Sequence, residues 1–171
     1  MDDQLNRAQD GRNWVEKIAD RLPGFSGYQN RETRREIDRT WRGHLARRVD
    51  DVRQTLSGKI REISGKGDLD GIAGLDGAGK ALDGLANRIR TADSGYSGFF
   101  DAVKVGIKEL EAVYRFDLDF DDSVAALARS VESFGSAAGP DAAQLRHEVE
   151  AAQIRWKQRA DLLDLAMNPG G

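Results

Sequence analysis

The sequence predicts an all-α fold: an elongated antiparallel bundle of about five helices with coiled-coil-like packing, forming a single domain over residues 1–171. Three observations carry that expectation. Apolar residues recur every three or four positions along most of the chain, and no stretch alternates apolar with polar residues as a strand would. Charged residues make up 32% of the chain and aromatics 7%, a balance suited to long helices with wide wet faces. Glycine and proline gather between the periodic stretches, where turns belong.

The elements follow in order. Residues 11–22, "GRNWVEKIADRL", place Trp14, Val15, Ile18, Ala19 and Leu22 at helical spacing. "PGFSGY" then breaks the chain through Pro23, Gly24 and Gly27. The clearest helix carries Ile37, Trp41, Leu45, Val49, Val52, Leu56, Ile60 and Ile63 as one apolar stripe, close to the spacing of a coiled-coil seam. "SGKGD" ends it, and Asp68 is the expected N-cap of the next helix, over residues 69–92. After "DSGYSG", a stripe from Val103 to Phe134 predicts a helix over 99–134. "GSAAGPD" is the third break, and Asp141 is placed to cap a last helix bearing Leu145, Val149, Ala152, Trp156, Ala160 and Leu163. Residues 1–10 and 167–171 read as frayed ends. Leu45, Val49, Leu56, Leu82, Leu110, Val113, Leu127 and Trp156 are the expected core.

The formal net charge is −3, so no overall positive field draws the chain to nucleic acid. Residues 1–65 hold 14 Lys and Arg against 11 Asp and Glu, whereas residues 66–171 hold 12 against 18. The arginines of the basic part alternate with acids, the pattern of a solvated helix face. The absence of cysteine excludes disulfides, thiolate metal sites and a cysteine nucleophile. The start, "MDDQLNRAQD", is too acidic and polar for a secretory signal. No apolar run approaches the roughly 20 residues of a membrane span. Together these features predict a cytoplasmic protein.

Residues 74–80, "GLDGAGK", spell the opening of a phosphate-binding P-loop and match the start of Arf-like small GTPases. That loop needs a buried strand before it and a Ser or Thr after its lysine to ligate magnesium. Here "GKGDLDGIA" precedes it and Ala81 follows it. A helix accounts for the same letters: Leu75, Leu82 and Leu85 fall on one face, and Asp76, Lys80, Asp83 and Asn87 on the other. Asp76 and Lys80 are spaced for an ion pair. The small residues Gly71, Gly74, Ala78 and Ala81 offer a face for close helix approach. Eight glycines lie between 58 and 84, and each one inside a helix costs about 1 kcal/mol relative to Ala. This helix is therefore expected to be the weakest of the long ones, with a break near Gly77–Gly79.

"FDLDFDDSV" begins like a calcium loop at Asp117, Asp119 and Asp121, but Asp122 stands at the sixth position and Ala128 at the twelfth. The apolar period runs through it, so these acids are expected on a solvated helix face. His147 lacks a second histidine four residues away and reads as a surface residue, and His44 stands alone beside Trp41 and Leu45. No nucleophile–base pair emerges, so no catalytic residue, cofactor or metal is expected.

The most informative feature is a small repeat, "GFSGY" at 24–28 and "GYSGF" at 95–99. Each follows a shorter predicted helix and precedes a longer one. Glycine permits the reversal, and the aromatics staple the turn to the helix ends. In an up-and-down bundle both turns fall at the same end. Phe25, Tyr28, Tyr96, Phe99 and Phe100 would then gather beside Arg31, Arg34 and Arg35, the residue types that interfaces and anion sites use.

The segments "LPGFSGY…RETRREID…WR" and "RIRTADSGYSGFFDAVKV…YRFD" resemble an uncharacterised family of prokaryotic helical proteins over roughly residues 20–120. The resemblance implies helices and no known activity. The functional expectation is a non-enzymatic scaffold or adaptor that binds a protein partner through the aromatic and arginine end or a helix face. The alternative is a peripheral protein whose basic helix meets anionic lipid. A homo-oligomer is a further partner to consider. Nucleic acid ranks last, because acids dilute the arginines.

Overall fold

The computed structural model describes Arg21 and residues 31–92 and 107–167, with the side chains of Arg21 and of residues 38–92 and 112–164. Among the described residues there are four α-helices and no strand: α1 (Arg31–Gly65), α2 (Leu75–Thr91), α3 (Ile107–Ser133) and α4 (Ala142–Met167). The expected helix over 11–22 lies outside the described residues apart from Arg21.

The helix expected over 69–92 begins at Leu75 instead. A 3-10 turn, Asp70–Ile72, occupies the stretch before it. The reason is Gly74, whose φ of 81 is left-handed and serves as the N-cap position of α2. Asp68 does not cap α2, and the cap makes no side-chain hydrogen bond. The expected break at Gly77–Gly79 does not occur, because burial of Leu75, Ala78, Leu82, Leu85, Ala86 and Ile89 outweighs the glycine penalty. Lys80 and its neighbours Asp76, Asp83 and Asn87 face solvent as the helical reading requires. No ion pair joins Asp76 to Lys80 among the described residues; a pair of that spacing forms at Glu62–Lys66, 2.7 Å apart. The cap expected at Asp141 does form, since its Oδ1 accepts from the Gln144 amide at 2.7 Å.

The helices pack as a ring in which α1 touches α2 and α3, and α4 touches α2 and α3. Contacts give the directions. Arg42 reaches the carbonyls of Ile89 and Arg90, and Arg53 faces Asp83, so α1 and α2 are antiparallel. Phe120 meets Trp156 and Asp117 meets Arg159, so α3 and α4 are antiparallel. Gln153 donates to the Ala81 carbonyl at 3.0 Å, and Arg146 lies against Gly74, so α2 and α4 run parallel. The bundle is therefore two antiparallel hairpins laid side by side, with α2 and α3 on a diagonal.

The expected core residues Leu45, Val49, Leu56, Leu82, Val113, Leu127 and Trp156 are all buried. The side chain of Leu110 lies outside the described residues. At the end where α1 finishes, Ile63, Leu75, Phe134 and Leu145 close the interior. Gly135, at φ 82, turns the chain out of α3, and a Cβ there would stand 2.9 Å from Cδ1 of Ile63.

Candidate functional site

The described residues depart most from the sequence expectation at the opposite end. The acids of "FDLDFDDSV" do not form a solvated face. They divide: Asp119 and Asp122 are exposed, whereas Asp117 and Asp121 are buried. The cause is the spacing of the core. Val113, Phe120, Val124, Leu127, Val131 and Phe134 line the inside of α3. Alternating steps of four and three from Val113 fall on Asp117 before Phe120. Phe116, the apolar neighbour of Asp117, is only half-buried, with the guanidinium of Arg155 over its ring at 5.9 Å.

Asp117 has company from three other helices. On α4 the sequence Leu145, Val149, Ala152, Trp156 continues inward to Arg159. On α1, Asp38 and Arg42 are buried on either side of Trp41. These four charged residues are at most 5% exposed. Arg159 grips Asp117 side-on, donating from Nε to Oδ1 at 2.6 Å and from Nη2 to Oδ2 at 2.9 Å. Its Nη2 also donates to Oδ1 of Asp38 at 2.7 Å. Arg42 Nε donates to the other Asp38 oxygen at 2.7 Å. From there Arg42 Nη1 reaches the carbonyls of Ile89 and Arg90 at 3.4 and 3.3 Å, in the last turn of α2, where a cation complements the helix dipole. Two carboxylates and two guanidiniums thus form a charge-balanced layer that touches all four helices.

Burial pushes the Asp117 carboxyl above its usual range, with the Arg159 guanidinium pulling the other way. Burial alone would depress Arg159, but the Asp117 and Asp38 carboxylates outweigh it and hold its pKa above the ordinary arginine value. The bidentate geometry is that of a guanidinium on a carboxylate. Arg159 also lies 5.2 Å from the Trp156 ring centroid.

A second group flanks this layer on the α1–α3 side. Asp121 accepts from Arg48 and from Arg21, the latter at 3.1 Å, and its Oδ1 stands 4.0 Å from Nε2 of His44. Arg21 also reaches Asp122 at 3.0 Å. His44 stacks on Trp41 with ring centroids 5.3 Å apart, so it is not the isolated histidine the sequence suggests. Burial lowers its pKa; Asp121 opposes that, and Arg48, Arg47 and Arg21 add to it. Trp41 Nε1 is buried with no hydrogen-bond partner among the described residues. His147 is exposed, as expected.

Of the expected partner-binding residues, Phe25, Tyr28, Tyr96, Phe99 and Phe100 lie outside the described residues. Arg31, Arg34 and Arg35 belong to the first turns of α1, with side chains outside the description. The finish of α2, which borders the second motif, lies beside Arg42, about three turns inside α1; α1 runs on past it toward the first motif. Among the described residues no three acidic or histidine side chains converge as metal ligands. No described helix is long and apolar enough to cross a membrane.

No family model matches the chain, and neither does any curated protein or solved structure.

Proposed function

We propose that this chain is a non-enzymatic cytoplasmic scaffold or adaptor that captures a protein partner at the end of the bundle bearing Phe25, Tyr28, Tyr96, Phe99, Phe100, Arg31, Arg34 and Arg35. The observation that supports this reading is the charged layer of Asp38, Arg42, Asp117 and Arg159. It ties four helices together beside the finish of α2, which borders the second repeated turn, and about two to three turns inside α1 from the first. Rigid elements that hold variable loops are a common way to build a recognition surface. The four charges are spent on one another, so that among the described residues every buried acid or base has a charged partner, unlike the unpaired groups catalysis recruits. In this reading residues 11–22 add a fifth helix, the packing is coiled-coil-like, and the resemblance to prokaryotic helical proteins reflects a shared turn architecture.

The protein-partner reading is favoured over the lipid one by how the basic helix uses its arginines. Arg42, Arg48 and Arg53 of α1 all face acids within the bundle, so less of its charge is left to meet anionic headgroups. Affinity capture from the native host tests the proposal. Wild-type protein is expected to retain a partner that the Tyr28→Ala, Arg34→Ala double variant loses, with helical circular dichroism unchanged. Salt-sensitive co-sedimentation with anionic vesicles, and no protein partner, would favour the lipid reading.

A further inference from the structure

A different surface, the outer face of α4, carries a pattern that the aromatic and arginine end does not use. Ile154 is 63% exposed there, at the middle of a helix that runs from Ala142 to Met167. It lines two grooves at once. One, of about 580 Å³, lies between α2 and α4 over Trp156, Ala160 and Ala92. The other, of about 480 Å³, lies between α3 and α4 over the small residues Ser123, Ala126 and Ala151. An exposed branched side chain on a ridge between two grooves has the shape of a knob beside its own hole.

Charges bracket Ile154 in a set order. Arg146, Glu150, Lys157 and Asp161 are exposed on α4 and none is ion-paired among the described residues; the Arg146 guanidinium rests over Gly74 at the α2 edge of this face and swings off it to meet a partner. From the N-terminal side the order is plus, minus, Ile154, plus, minus. We propose that a second copy of this chain lays its α4 antiparallel on this face, about a two-fold axis beside Ile154. In that register Arg146 faces Asp161 of the other copy, and Glu150 faces its Lys157. Symmetry repeats each pair, and the two Ile154 side chains meet at the axis. The alternatives are penalised by the same residues. A slide of one helical turn one way sets Arg146 against Lys157, and the other way sets Glu150 against Asp161. A parallel arrangement sets each charge against itself. Like charges at such spacing repel. One face therefore specifies both direction and register, the self-complementarity that a two-fold interface demands. A single helix pair is a small interface, so the dimer is weak, on the order of micromolar, and its exposed ion pairs make it salt-sensitive.

Sedimentation equilibrium of the full chain tests this. Wild-type protein is expected to dimerise at low ionic strength, with dissociation at least about tenfold easier in roughly 1 M salt. Ile154→Asp and Glu150→Lys are each expected to give monomers with unchanged circular dichroism, because both positions are exposed. Combining Glu150→Lys with Lys157→Glu reverses both partners and restores the dimer. A wild-type chain that stays monomeric up to about 0.5 mM, more than a hundredfold above a micromolar constant, would overturn the proposal. So would a dimer that survives Ile154→Asp, or one that the double reversal fails to rescue. None of these outcomes bears on partner capture at the aromatic and arginine end.

Discussion

Toward the end of the bundle where α1 and α3 begin, the described interior holds the charged Asp38, Arg42, Asp117 and Arg159 among Trp41, Val113, Tyr114 and Leu163; at the other end Ile63, Leu75, Phe134 and Leu145 close it with apolar side chains alone. Both ends are buried, yet they hold the helices by different means. The apolar end excludes water, a force without direction, and depends on turns such as Gly135 to bring its helices together. The charged end is directional. Arg159 satisfies Asp117 only from one angle and one height along α4, so a helix that slides or rotates leaves a charge unpaired in the interior. A buried ion cluster adds little net stability because desolvation offsets most of the attraction. What it adds here is a penalty for every other helix register.

The comparison can be broken most severely at Arg159. Arg159→Met keeps the volume and removes the guanidinium, leaving Asp117 and Asp38 buried without it. Chemical denaturation is expected to show a loss of about 3–5 kcal/mol. Removing apolar bulk acts differently. Leu56→Ala is expected to cost about 2–5 kcal/mol through the cavity it leaves, and this loss should barely change with pH. At the apolar end, Gly135→Ala forces a side chain onto a left-handed backbone and against Ile63. Its expected cost is about 1–2 kcal/mol, visible as a lower thermal midpoint.

The smallest effect concerns His44 beside the charged end. Its folded pKa lies below the ordinary 6.5, so the unfolded chain takes up the proton first. Stability from this group is complete above about pH 6.5 and falls as pH drops from there through the folded pKa. His44→Gln is expected to flatten the thermal midpoint over that interval. An unchanged slope would mean that His44 does not sense its burial.

The apolar half of this comparison was readable from the chain. Leu45, Val49, Leu56, Leu82, Val113, Leu127 and Trp156 repeat at helical spacing, and all are buried. The charged half was encoded in the same spacing but passed over. A step of four from Val113 lands on Asp117, and a step of three from Trp156 lands on Arg159. Hydrophobicity prefers the adjacent Phe116 and Ala160, which are only half-buried. A rule that rejects charge from the core cannot see a core layer that is charged throughout and neutral in sum. The signal that finds it is pairwise: opposite charges in core positions on different helices. The start of α2 was misplaced for a local reason, since apolar spacing runs on through Ile72 while Gly74 turns the backbone left-handed.

The claim that one end is held by mutual charge pairing is tested most directly by a double-mutant cycle between Asp117 and Arg159. Stabilities would be measured by denaturant unfolding for wild type, Asp117→Asn, Arg159→Met and the double variant. If the two groups satisfy each other in the interior, each single change is strongly destabilising, and the double change costs clearly less than their sum. The expected coupling is at least about 1 kcal/mol, within the range seen for contacting polar groups. Additive losses, with no coupling, would contradict the charged layer and the register it is held to impose.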